Sequence, residues 1–123
     1  MKVLVVDDSQ IMRRIMSGAL AKVGVDDVVE ASNGQEAIDS LSADSAINLV
    51  LMDWNMPTMT GIEALKVIRA GGNKVPIVMV TTESEKDKVL EAIKSGANDY
   101  LAKPFGPKDL QEKLDKFVQA GAS

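Results

Sequence analysis

Leu49-Val50-Leu51-Met52 is an unbroken apolar run that ends on Asp53. A strand with one wet face alternates apolar and polar residues. A short uninterrupted run therefore reads as a strand buried on both sides, as in a parallel sheet with helices above and below. Two further segments have the same character. Val3-Leu4-Val5-Val6 is stopped by Asp7-Asp8-Ser9, and Pro76-Ile77-Val78-Met79-Val80 is followed by Thr81-Thr82. Proline at the first residue of the latter removes no ladder donor. Val28-Val29 and the stretch Asp99 to Ala102 are weaker, shorter strand signals.

Helical spacing fills the intervals. Ile11, Met12, Ile15, Met16, Ala19, Leu20 and Val23 recur every three or four residues, and Gly24 closes the segment. Further helices are expected over about 34–41, over 61–70 through Ile62, Leu65, Val67 and Ile68, over about 84–95, and from Pro107 to about Ala120. Gly71-Gly72 and Gly96 act as stops, and Pro107 occupies a first turn. Five strand–helix units in succession, with no linker between them, predict a single α/β sandwich of (βα)5 type spanning residues 1–123. The methionines, among them Met12, Met16, Met52, Met56, Met59 and Met79, read as gap-filling core.

Composition narrows the function. The 123 residues carry a formal charge of −4, which gives no basic stripe for nucleic acid. Cysteine and histidine are both absent. Disulfides, zinc–thiolate sites, a thiol nucleophile and a Ser-His-Asp triad are thereby excluded, and the chain cannot itself carry a phosphohistidine. No apolar run reaches the ~18 residues of a membrane span, and Met1-Lys2 leads directly into the first strand. A soluble cytoplasmic protein is expected.

In an open parallel sheet, ligands sit outside the carboxyl ends of the strands. Asp7 and Asp8 follow the first strand, Asp53 the third, Thr81 and Thr82 the fourth, and Lys103-Pro104 the fifth. If the first and third strands are neighbours, three carboxylates meet on one rim. At about 4 Å and an effective dielectric near 20, each like-charged pair then costs on the order of 4 kcal/mol. Such a cluster calls for a cation. All-oxygen donors suit Mg²⁺, or Mn²⁺, rather than zinc. Carboxylates, a divalent ion, a lysine and a hydroxyl on one rim form a phosphoryl-handling set. Taken singly, Asp7-Asp8 also fits a helix N-terminus, Thr81-Thr82 and Ser84 fit helix caps, and Lys103 fits a solvated loop. Their joint placement at strand ends favours the site.

Asp7-Asp8, Asp53, Thr81, Tyr100 and Lys103-Pro104 at these positions resemble the receiver domain of bacterial two-component response regulators over essentially the whole chain. Asp53-Trp54-Asn55-Met56-Pro57, Met12-Arg13-Arg14, Lys103-Pro104-Phe105 and Glu112-Lys113-Leu114 are similar to the chemotaxis members of that family. The resemblance implies strand order 2-1-3-4-5, the flavodoxin-like arrangement. Asp53 is then the phosphoacceptor for a histidine kinase or phosphotransfer protein. Asp8, Asp53 and the backbone carbonyl of Asn55 are implied ligands of Mg²⁺, with Asp7 acting through water. Lys103 pairs with the phosphoryl oxygens, Thr81 hydrogen-bonds one of them, and Tyr100 changes rotamer as Thr81 moves. The Lys103-Pro104 bond is implied to be cis. The output is partner binding, with a flagellar motor switch docking on the face of the fourth helix, fifth strand and fifth helix, and without nucleic acid or membrane.

Such a chain catalyses its own phosphorylation and dephosphorylation without being a turnover enzyme. Asn55 and Glu83 are placed to position the hydrolytic water. Thr82 stands where the family usually has a smaller residue, so its branched side chain bears on access to Asp53 and on phosphate lifetime. Rival readings are a Mg²⁺-dependent phosphatase with Asp53 as nucleophile, a phosphate sink or phosphorelay shuttle, and a flavin or nucleotide carrier. Phosphatases resembling the haloacid dehalogenase superfamily carry an acidic residue where Asn55 stands here. A nucleotide carrier needs a glycine-rich loop where Asp7-Asp8 stands.

Overall fold

The computed structural model describes residues 1–82, 86–103 and 105–122, without the side chains of 82, 86–88 and 118–122. Among these residues, strands and helices alternate: β1 (Lys2–Val6), α1 (Gln10–Lys22), β2 (Asp27–Ala31), α2 (Gly34–Ala43), β3 (Leu49–Asp53), α3 (Gly61–Ala70), β4 (Ile77–Thr82), α4 (Lys86–Lys94), β5 (Asp99–Lys103) and α5 (Pro107–Ala122). The strands form one parallel sheet in the order β2-β1-β3-β4-β5. No described helix is long and apolar enough to cross a membrane.

Period-two alternation splits the core into two layers. Leu4, Val6, Val50, Met52, Ile77 and Met79 pack with Ala37, Leu41, Ile62, Leu65, Ile68 and Ala92 of α2, α3 and α4. Val3, Val5, Leu49, Leu51, Val78, Val80 and Leu101 pack with Met16, Leu20, Leu110 and Leu114 of α1 and α5. Residues of β1, β3 and β4 are buried on both faces, as their unbroken apolar runs require. Met16, Met52, Met56 and Met79 are core residues, while Met12 and Met59 are half-buried.

The boundaries differ from the sequence expectation where polar residues extend a strand. β4 begins at Ile77 and runs on through Thr81 and Thr82, because these pair with Ala102 and Lys103 of β5. β2 covers Asp27 to Ala31 and not merely Val28-Val29; as an edge strand it is half-exposed and carries polar residues. The α1 stripe is also narrower than its spacing implies, with Ile11 71% and Ile15 55% exposed.

Candidate functional site

Register brings the acidic residues together. Val6 of β1 pairs with Met52 of β3, so the next residues along, Asp7 and Asp53, emerge side by side. Carboxylate oxygens of Asp7, Asp8 and Asp53 lie within 4.8 Å of one another. Asp7 is 1% exposed and Asp53 6%, whereas Asp8 faces solvent. From the end of β5, Lys103 Nζ reaches Asp53 Oδ1 at 3.1 Å and Asp7 Oδ2 at 3.5 Å. The turn after β1 is tied locally. Ser9 N–H donates to Asp7 Oδ1 at 2.9 Å, and Ser9 Oγ caps α1 by accepting from Met12 N–H.

One ammonium against three carboxylates leaves the cluster negative. Burial pushes the Asp53 carboxyl above its ordinary range, and the charges of Asp7 and Asp8 push it the same way, outweighing the opposing pull of Lys103. Burial works to lower Lys103, but its contacts with Asp53 and Asp7 hold it above its usual value. The donor set is all oxygen, close-spaced and short of positive charge, and so fits Mg²⁺, with Mn²⁺ as the chemical alternative.

The loop after β3 is held against the sheet. Trp54 N–H donates to Val80 carbonyl at 3.2 Å, and Gly61 N–H donates to Trp54 carbonyl at 2.9 Å, folding α3 back onto the strand end. Gly61 is required there, since a Cβ would stand 2.2 Å from the Asp53 carbonyl oxygen. Thr60 and Glu63 complete a capping box for α3. Thr58 has φ 70°, a left-handed conformation costly for a β-branched residue. Asn55 is exposed in this loop, two residues beyond Asp53.

Thr81 and Tyr100 share a face. Thr81 follows Met79 in alternation on the α4 side of β4, and Tyr100 alternates with Leu101, which packs on the other side. Thr81 is buried and Tyr100 is 43% exposed at the sheet edge. The structure thus brings Asp7, Asp8, Asp53 and Lys103 into one cluster, with Thr81 at the same end of the adjacent strand. Thr82 shares that strand end, but its side chain, together with Glu83, Ser84 and the Lys103-Pro104 bond, lies outside the described residues. Arg13, which the sequence marks only within a family-like string and with no site role, borders the cluster. Its Nη1 donates to the Asp7 backbone carbonyl at 2.6 Å.

Comparison with known proteins agrees with this fold. Residues 3–115 match the family model described as the response regulator receiver domain. The chain is 47% identical over 124 residues to a chemotaxis protein CheY homolog of Campylobacter jejuni, covering 99% of this chain and 95% of that protein. It is 46% identical over 117 residues to the chemotaxis protein CheY1 of Helicobacter pylori, covering 94% of each. Among solved structures, Vibrio cholerae chemotaxis protein CheY4 superposes with a TM-score of 0.85 at 37% identity, covering 94% of this chain and 97% of that one.

Proposed function

This chain belongs to the response regulator receiver domain family, and from that premise we propose that Asp53 is its phosphoacceptor, on a Mg²⁺ site formed with Asp8 and Asp7. As a CheY-type receiver it is a phosphorylation-activated signalling switch of chemotaxis or two-component signalling, and not a turnover enzyme. The observation that carries the assignment is the buried Asp53 carboxylate, held by Lys103 and crowded by two further carboxylates at the sheet's carboxyl edge.

A carboxylate oxygen of Asp53 forms a bond to phosphorus while the phosphorus–nitrogen bond of a partner's phosphohistidine breaks. The electron pair returns to that imidazole, so no histidine is required in this chain. Receiver domains bind Mg²⁺, and when bound it neutralises charge on the transferring group. Lys103 follows the phosphoryl oxygens with its ammonium, exchanging a carboxylate partner for a phosphoryl one. Thr81 donates its hydroxyl to the same group, and Tyr100 responds beside it on the shared face. Moving such a two-state equilibrium from 1:99 to 99:1 takes about 5.5 kcal/mol. One or two charge-assisted contacts at about 1.5–3 kcal/mol each approach that range. The Asn55 carbonyl completes the proposed metal set, Asp7 acts through water, and Asn55, Glu83 and Thr82 tune hydrolysis.

The phosphodonor we propose is a histidine kinase or phosphotransfer protein, and the target a flagellar motor switch docking on the α4–β5–α5 face. The setting is the cytoplasm, and the receiver domain carries its output by binding a partner. Names and near-full-length coverage of the Campylobacter and Helicobacter relatives support this reading. Acetyl phosphate with Mg²⁺, followed by peptide mass mapping, tests the assignment. One phosphoryl group on Asp53, absent in EDTA, is expected. Label on another residue overturns the site, and sustained turnover of phosphomonoesters overturns the switch in favour of a phosphatase. Pull-down from extract with and without beryllofluoride reads the target.

A further inference from the structure

Arg13 is the fourth residue of α1, where a cation runs against the helix dipole and where the first turn holds no acid to offset it. Its side chain is nonetheless only 15% exposed. The guanidinium makes two diverging contacts. Nη1 donates to the Asp7 carbonyl oxygen at 2.6 Å, and Nε donates to Glu30 Oε1 on β2 at 3.0 Å. The carbonyl it holds belongs to the rigid peptide plane that joins Asp7 to Asp8. Asp7 is otherwise fixed as well, its N–H donating to Ala31 carbonyl at 3.1 Å and its Oδ1 accepting from Ser9.

We propose that Arg13, steadied by Glu30, is a positioning residue for the metal site: it fixes the Asp7–Asp8 peptide plane and so sets the direction in which the Asp8 carboxylate leaves the strand. The inference rests on the Mg²⁺ reading above and adds a residue to it. The role is geometric, because the guanidinium meets the site through a backbone carbonyl and is itself paired with the Glu30 carboxylate. Lysine carries the same charge but has one nitrogen and cannot span both acceptors.

Mg²⁺ titration followed by the fluorescence of Trp54, which is buried directly after Asp53, tests this without phosphorylation. Arg13→Lys and Arg13→Gln are each expected to bind Mg²⁺ about tenfold more weakly, at the low end of the cost of losing an outer-shell partner. Thermal melts in EDTA report whether each variant folds. Glu30→Gln, a change at an exposed partner that leaves Arg13 in place, is expected to weaken Mg²⁺ by a smaller factor and to add little on top of Arg13→Lys. Wild-type affinity in folded Arg13→Lys, or additive losses in the double variant, overturns the positioning role while leaving the site intact. A wild-type chain that takes up no Mg²⁺ overturns both.

Discussion

β5 carries a charge cluster at each end, and the two are inverse. At its start, Asp99 is held between two ammonium groups of α5, with Lys113 Nζ at 3.1 Å and Lys116 Nζ at 2.9 Å. At its finish, Lys103 is held between the carboxylates of Asp53 and Asp7, with Asp8 close by. Burial raises both acids, yet they end on opposite sides of the ordinary range. Asp99 is brought below it by Lys116, its neighbour's N–H and Lys113, while Asp53 stays above it because Lys103 is outnumbered. The first cluster is satisfied and fastens α5 to the sheet. The second is short of one or two positive charges, the condition under which a cation and a phosphoryl group are both drawn in.

Exchanging each acid for its amide separates the two ends most sharply. Asp53→Asn is expected to abolish labelling by acetyl phosphate and, in EDTA, to raise the melting temperature, because it removes an under-neutralised buried charge. Asp99→Asn is expected to label normally and to lose about 1 kcal/mol, since two ammonium groups lose a charged acceptor. Calorimetry beside mass spectrometry reads both. A destabilised metal-free Asp53→Asn breaks the contrast.

Magnesium sharpens it next. A ligand bound only by the folded state at about 100 times its Kd adds about 2.7 kcal/mol. Wild type and Asp99→Asn should therefore melt higher with Mg²⁺ and return on adding EDTA. Asp8→Asn should gain less at the same concentration. Equal gains in all three place the ion elsewhere.

Acid titration then separates the two signs. Asp53 has a raised pKa in the fold, so between its folded and unfolded values the folded state binds the extra proton. Metal-free stability from this group rises as pH falls through the folded value. Asp99 has a lowered pKa, so its contribution is complete above the unfolded value and is lost as pH falls through the folded one. Urea midpoints across mildly to strongly acid pH, taken as differences from wild type, should show the early gain missing in Asp53→Asn and a shallower late loss in Asp99→Asn.

What could be read from sequence follows from which physical cause leaves a trace in residue order. Runs such as Leu49 to Met52 declare strands buried on both faces, and acids at their carboxyl ends declare the rim. The edge strand β2 is half-exposed, so only Val28-Val29 stands out of it. Thr81 and Thr82 extend β4 through pairing with β5, a partner that residue order does not name. Ile11 and Ile15 keep helical spacing while facing solvent, because periodicity gives the stripe and not its width. Asp7, Asp8, Asp53 and Lys103 were legible because each sits at a strand end. Arg13 was not, since its contact is to a carbonyl, which every residue possesses.

The smallest effect lies within the Asp99 cluster, where bond length and burial disagree. Lys116 makes the shorter contact but is 62% exposed, whereas Lys113 is 22% exposed and also lies over the Tyr100 ring, 5.2 Å from its centroid. Water and salt screen an exposed ammonium and leave its chain free to move, so a shorter distance there brings little. The sheltered lysine keeps its field and adds a cation–π contact. Lys113→Met should therefore cost about 0.5–1 kcal/mol, retained in high salt. Lys116→Met should leave the urea midpoint unchanged within error once salt is added. If Lys116→Met proves the more damaging of the two, proximity outweighs burial at this edge, and the same reasoning applied to Lys103 at the other end of β5 loses its basis.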